Sequence, residues 1–198
     1  MENIVTTSEK YSNVKVSNIV VNGSINTELD LDALQTVDRE EWDVYCRDGV
    51  PYTVEFTFKQ LPMVSVYSSG SYIIRGSGKE RIKEANKQFL VLFDELGIIK
   101  GVQDVEFTIN NIVGTITLDE SLNLERIANL GSSKQFQYEP SQFPAVTYRG
   151  AEFYSANIFN SGKIIIQGCK SEESLEKAAE DIQTIISKHT EQTFDKMF

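Results

Sequence analysis

Self-similarity constrains this chain more than any other feature. Ser17-Asn18-Ile19-Val20 returns as Asn110-Asn111-Ile112-Val113, 93 positions later, and Leu29-Asp30-Leu31 returns as Leu122-Asn123-Leu124 at the same offset. Val50-Pro51 and Phe143-Pro144 also keep the offset of 93. Ser69-Gly70-Ser71-Tyr72-Ile73-Ile74-Arg75-Gly76 matches Ser161-Gly162-Lys163-Ile164-Ile165-Ile166-Gln167-Gly168 at 92. Four matches in one order mark an internal duplication, with copies over about 12–99 and 104–190. The chain therefore divides into a first repeat, 1–99, and a second repeat with a short tail, 100–198. The one-residue slip is expected in a hairpin loop of the second copy.

Each copy carries the same succession of patterns. Residues 14–20 alternate apolar and polar, as a half-buried strand does. A short helical stretch follows at 31–36, matched at 122–130. Strand-like runs come next at 52–58, 63–67 and 72–75, matched at 145–149, 153–159 and 163–167. Ser68-Ser69-Gly70 and Asn160-Ser161-Gly162 supply tight turns between the last two strands of each copy. A long helix closes each copy. The stretch 79–96 carries Ile82, Ala85, Phe89, Leu92, Phe93 and Leu96 on one stripe, and 173–188 carries Leu175, Ala178, Ala179, Ile182, Ile185 and Ile186. Gly97 suits the position just past a helix end and Ser171 suits an N-cap. The fold class is α+β: a curved antiparallel sheet in each copy, with long helices on its convex side. Such a sheet keeps one face uncovered, and the apolar residues on that face need a reason.

Charge and composition narrow the function. The 198 residues hold 29 acidic and 19 basic side chains, for a net charge of -10. Each half carries -5, so neither is a basic arm. Acidity of this degree argues against broad electrostatic attraction to nucleic acid or an anionic membrane. No apolar run approaches the ~18 residues of a membrane span. The N-terminal residues lack a basic segment followed by an apolar one, so no secretory signal is expected and the Asn22-Gly23-Ser24 sequon is expected to stay unmodified. Cys46 and Cys169 lie far apart and are expected as isolated reduced thiols.

The second copy holds the densest motifs. Ile109-Asn110-Asn111-Ile112-Val113-Gly114 precedes Tyr138-Glu139-Pro140-Ser141-Gln142-Phe143-Pro144 and Val146-Thr147-Tyr148-Arg149. Ile158-Phe159-Asn160-Ser161-Gly162-Lys163 then leads to Gly168-Cys169-Lys170-Ser171 and the closing helix. In these blocks the chain resembles the TATA-box-binding protein family, and the two-fold repeat extends the resemblance over about residues 12–190. The resemblance implies a saddle whose concave sheet sits on the DNA minor groove, with no enzymatic activity and no cofactor. Apolar wedges pushed between base steps unstack and bend the duplex. The minor groove separates A·T from G·C but little more, so asparagines and small apolar side chains suffice to read it.

Carried over residue by residue, the resemblance implies Phe143 and Phe159 as paired wedges and Asn111 as a groove-reading residue. Val113 and Ile165 become floor contacts, and Arg149, Lys163 and Lys170 become basic positions near phosphates. In the first copy Asn18, Val20 and Ile73 match the pattern. Tyr67 and Val50 stand where wedge phenylalanines are usual, and Val50 would unstack bases less. Ser71 and Gly78 stand where lysines are usual. Arg75 and Gln167 replace the threonine usual before the final glycine; Arg75 can reach a phosphate or a narrow groove but crowds the floor. Glu139, beside Gln142, matches an acidic contact for the transcription factor B family, although Ser141 replaces a second glutamate. The resemblance thus implies promoter DNA, a factor B homologue and RNA polymerase as partners, with no membrane association. The compact chain points to an archaeal or viral setting, cytoplasmic in an archaeon and nuclear in a eukaryote. An exposed apolar underside also makes a homodimer the expected alternative to DNA.

Plainer readings stand beside these. Asn before Ile-Val can simply end a strand, phenylalanines on strands are core residues by default, and surface lysines are usually just solvated. Trp42, Tyr45 and Tyr52 are expected as core or loop packing. Gly76-Ser77-Gly78-Lys79-Glu80 is similar to the end of a phosphate-binding loop, but Gly70 lies at the wrong spacing and Glu80 stands where a hydroxyl would hold magnesium. His189 is the single histidine, so a histidine-based metal site or triad is not expected. Glu172-Glu173 and Glu180-Asp181 suit a solvated helix face, and the tail 194–198 suits docking back or binding a partner. The competing function is a divergent paralogue that works mainly through protein contacts and binds DNA weakly. Local basic residues on an acidic protein imply weak, salt-sensitive or partner-assisted DNA binding.

Overall fold

The structure, a computed structural model, describes residues 14–47, 49, 52–101, 107–132, 134–150 and 154–194. It contains two compact units, one of Ser17–Asn111 and one that takes in Ile112 onward. The first holds strands β1 (Lys15–Ser24), β2 (Trp42–Arg47), β3 (Thr53–Phe58), β4 (Met63–Val66) and β5 (Ser71–Gly76), with helices α1 (Leu31–Leu34) and α2 (Lys79–Glu95). Its strand order is β2-β3-β4-β5-β1 and every pairing is antiparallel. The second repeats this plan with β6 (Thr108–Thr117), α3 (Leu124–Ala128), β7 (Phe136–Gln137), β8 (Ala145–Arg149), β9 (Ser155–Phe159), β10 (Lys163–Cys169) and α4 (Glu172–Phe194). Its order is β6-β10-β9-β8-β7. The α+β class, with an antiparallel sheet and a long helix in each repeat, is the one the sequence pattern predicts.

Period-2 burial gives each sheet one core face. In the first unit Val21, Val54, Phe56, Val64, Val66, Tyr72 and Ile74 are buried against Ile82, Phe89, Leu92 and Phe93 of α2. This core is aromatic: Phe89 lies 4.3 Å from Phe93, 4.9 Å from Tyr72 and 6.2 Å from Phe56, centroid to centroid. Tyr72 crosses the sheet over Gly23, where any Cβ would overlap its ring, and its hydroxyl donates to Asn86 Oδ1 at 2.6 Å. Burial pushes this phenol up to about 12. The second core is mostly aliphatic, with Ile112, Ile116, Val146, Ile158, Ile164 and Ile166 buried alongside Leu175, Ala178, Ala179, Ile182 and Ile186.

The helix signals act as their chemistry requires. Gly97, at φ +70°, terminates α2 by donating to the Asp94 carbonyl while Ile98 donates to that of Phe93. Ser171 Oγ accepts from the Ser174 N–H at 3.0 Å, and the Ser171 N–H donates to Ser174 Oγ at 3.0 Å, a reciprocal cap on α4. Gly78, at φ +87°, starts α2 without a side-chain cap. Gly70 and Gly162, at +80° and +81°, form the two hairpin turns.

Three expectations need correction. The one-residue slip is not in a hairpin loop. Register links Glu55 to Ser65 and Ser65 to Ile73, and equally Thr147 to Asn157 and Asn157 to Ile165. Glu55 therefore corresponds to Thr147 at an offset of 92, and their partners Tyr45 on β2 and Gln137 on β7 keep that offset, so the slip precedes β2 and the hairpins that follow are of equal length. Second, residues 42–47 form an edge strand. Tyr45 on it is 65% exposed and is not a packing residue, whereas Trp42 packs on Phe58 at 5.1 Å. Third, β10 runs past residue 167 to Cys169 through a bulge. Cys169 instead of Gly168 pairs with Ile112, and Gly168 takes φ +98°. The corresponding Gly76 pairs regularly with Ile19. Cys46 and Cys169 are both unpaired, and burial raises the Cys169 thiol.

Candidate nucleic-acid interface

The face of each sheet turned away from its long helix carries most of the residues singled out from the sequence. Alternation forces this: wherever one residue of a strand enters the core, its neighbours point out. In the second unit Val113, Ile165 and Phe159 lie on this outer face and are half-buried, while Lys163 and Gln167 on β10 and Arg149 at the end of β8 are exposed. Asn111 on β6 is half-buried on the same alternation. Ile165 sits between Thr115 and Asn157 in the register, and Thr147 Oγ1 donates to Asn157 Oδ1 at 3.1 Å. Gln167 Nε2 donates to Ser155 Oγ at 3.3 Å.

Phe143 and Phe159 come together at one end of this face. Their centroids are 6.0 Å apart and their planes meet at 67°. Phe143 is 41% exposed, an unusual position for a large apolar side chain, whereas Ala145, two residues on, is buried. The loop before it explains the pose. The Gln142 and Phe143 N–H groups both donate to the Glu139 carbonyl, at 2.9 and 3.0 Å, so the chain turns tightly and delivers Phe143 onto the sheet. The Ser141 hydroxyl donates to the Glu139 carboxylate at 2.7 Å, leaving Glu139 and Gln142 both exposed. Glu139 borders a groove also lined by Glu125, Asn129, Phe136 and Tyr138. Lys170 is exposed just past β10 and its backbone N–H donates to Ser174 Oγ.

The first unit places its predicted residues on the corresponding outer face, among different neighbours. Asn18, Val20, Tyr67 and Ile73 are half-buried there and Arg75 is exposed. Val20 lies directly across from Arg75, and Ile73 lies between Asn22 and Ser65. Tyr67 opens the hairpin turn, donating its N–H to the Ser71 carbonyl. Val50 lies outside the described residues. Gly78 and Ser71, at the positions where lysines are usual, are exposed.

A polar row crosses this face that the sequence pattern alone does not announce. Arg75 Nη1 donates to Ser65 Oγ at 3.2 Å, Ser65 Oγ donates to Glu55 Oε1 at 3.5 Å, and Arg47 Nη1 stands 3.6 Å from the same oxygen. Arg47, Glu55, Ser65 and Tyr45 are thus outer-face residues that the motif comparison misses. The findable signal is strand alternation: once the offset is 92, Glu55 falls opposite outward-facing Thr147. At 93 it falls opposite buried Tyr148.

The two outer faces differ in charge. Strands β6–β10 contain no Asp or Glu, and Arg149 and Lys163 give them positive charge; the outer face of β1–β5 carries Asp43 and Glu55 beside Arg47 and Arg75. Among the described residues no cluster of three His, Cys, Asp or Glu side chains is placed to hold a metal ion. No described helix is long and apolar enough to cross a membrane.

Comparison with known proteins agrees with this arrangement. A family model described as transcription factor TFIID (or TATA-binding protein, TBP) matches residues 106–189. TATA-box-binding protein C of Halobacterium salinarum is 34% identical over 86% of this chain and 96% of its own. The TATA-box-binding protein of Archaeoglobus fulgidus is 33% identical over 85% of this chain and 92% of its own. Among solved structures, Methanococcus jannaschii TBP superposes with a TM-score of 0.69 at 30% identity, covering 89% of this chain and 98% of that one. The chain belongs to the TATA-box-binding protein family.

Proposed function

We propose that this protein is a promoter-binding initiation factor that bends TATA-like DNA by inserting the Phe143–Phe159 pair into the minor groove. Membership of the family makes it a DNA-binding transcription factor and not an enzyme. The finer reading rests on one observation above the others: two phenylalanines meet at the end of a sheet face whose strands hold no acid. Inserting such a wedge costs a few kcal/mol per base step for unstacking, and contacts along the bent duplex offset it. Arg149, Lys163 and Lys170 would take phosphates, while Asn111, Val113, Ile165 and Gln167 meet the groove floor. The first repeat, 1–99, contributes Asn18, Val20, Val50, Tyr67, Ile73 and Arg75 on a less basic face, so the second, 100–198, leads.

Glu139 and Gln142, exposed beside the wedge loop, are the proposed contact for a transcription factor B homologue, which in turn brings RNA polymerase. This work is done on the chromosome, in the cytoplasm of an archaeal cell; the relatives named above are archaeal. The test is a band-shift on a TATA duplex with donor and acceptor dyes at its ends, at low and high salt. Binding accompanied by shortening of the dye-to-dye distance is expected. Binding with a straight duplex refutes wedge insertion, and no binding at either salt removes the DNA-binding role. Glu139→Lys should abolish the shift to a larger complex by factor B while leaving the binary DNA complex intact.

A further inference from the structure

Resting on the minor-groove reading above, we propose that Glu55 is a positioning residue: through Ser65 it holds Arg75 over the first repeat's outer face, so that this repeat selects A·T-rich sequence with a guanidinium. Glu55 is an unexpected residue on such a face. Its side chain is only 10% exposed, and a carboxylate so far removed from water is tolerated only when cations and hydrogen-bond donors surround it. It has both. Ser65 Oγ donates to Oε1 at 3.5 Å, and Arg47 Nη1 lies 3.6 Å from the same atom. The Ser65 hydroxyl also accepts from Arg75 Nη1 at 3.2 Å, so one serine ties the exposed guanidinium to the buried acid.

The second repeat shows what the row replaces. At the corresponding positions Thr147 donates to Asn157, a neutral pair, and Gln167 bonds instead to Ser155. The first repeat thus exchanges a neutral floor for a charged one at the same register positions. Arg75 has Val20 and Met63 as its cross-strand neighbours, both apolar, and its reach to Ser65 is diagonal. A guanidinium fixed in this way suits a narrow, electronegative A·T minor groove. The exocyclic amine of guanine would stand in its path. The net charge of the row, two arginines against one glutamate, remains positive.

The experiment uses the full chain and three duplexes: an A·T-rich core, the same core with G·C pairs, and the same core with inosine·C pairs, which present an A·T-like minor groove. The wild type should reject the G·C duplex roughly tenfold or more, and accept inosine·C, as minor-groove readout requires. Glu55→Gln should bind all three more tightly, because a negative charge is gone, while the A·T to G·C ratio falls by about threefold or more. Ser65→Ala should lower that ratio without the general gain. In Arg75→Thr the ratio is already lowered, and adding Glu55→Gln should change it no further. A higher affinity with an unchanged ratio in Glu55→Gln would mean that Glu55 merely repels phosphate, and overturns the proposal. So does a ratio unchanged in Ser65→Ala. A wild type that binds none of the duplexes removes the minor-groove reading itself, and this proposal with it.

Discussion

The outer faces of the two units are built on one register and differ in chemistry. In the second, Thr147–Asn157 is a neutral pair, the strands hold no acid, and Phe143 stands 41% exposed beside Phe159. In the first, Glu55 and Ser65 occupy the same positions, Asp43 and Arg47 line the edge strand, and Tyr67 is half-buried where Phe159 stands in the other copy. The core faces have diverged too, but both remain predominantly apolar, each covered by a helix. The lesson is that duplication preserves what packing demands and frees what it does not. A core position tolerates a different apolar side chain only where its neighbours make up the volume. An outer-face position answers to whatever it touches, and the two copies touch different things.

The widest test of this asymmetry is the wedge pair. Phe143→Ala with Phe159→Ala should weaken TATA binding about 100-fold and abolish the bend, at roughly 1–3 kcal/mol per lost stacking aromatic. Tyr67→Ala should cost less than about tenfold on the same scale. Band-shift titrations of both decide it, and equal losses would break the comparison. A smaller effect concerns the first core. Tyr72 holds its proton more tightly folded than unfolded, since its pKa is raised from 10.0 to about 12. Stability is therefore intact below pH 10 and drains between pH 10 and 12, by about 1–2 kcal/mol from this residue. Thermal melts across that range should show a shallower loss in Tyr72→Phe, although this variant starts lower because Asn86 loses its donor. The smallest effect is in the turns. Lys163→Ser should flatten the salt dependence of DNA binding by about 0.9 in log–log slope, and Ser71→Lys should steepen it by about the same amount. Slopes that do not move would mean that neither turn approaches a phosphate.

Much of this architecture is legible in the order of residues along the chain. The stripes on 79–96 and 173–188, the turn glycines and the Ser171 cap all mark local events, and local chemistry fixes them. α2 ends at Glu95 and α4 begins at Glu172, each one residue from its stripe, whereas α4 runs on six residues past 188, to Phe194. The edge strand β2 is not legible in this way. Only Trp42, Val44 and Cys46 turn inward on it, and their burial depends on β3 alongside. The slip before β2 is equally hidden, because the match of Val50-Pro51 to Phe143-Pro144 at 93 says nothing of how the strands on either side pair. The wedge phenylalanines are legible as a motif; their 6.0 Å approach is not.

What the sequence by itself determined is the duplication, the alternation that divides every strand between two faces, and the family to which those motifs belong. Tertiary structure alone decided which residues share a row. Arg47, Glu55, Ser65 and Arg75 come from four strands, and no spacing along the chain brings them together. Strand register does so, and register is set cooperatively by the packing of the opposite face, where a slip of one residue would turn Val54, Phe56 and Ile74 out into water.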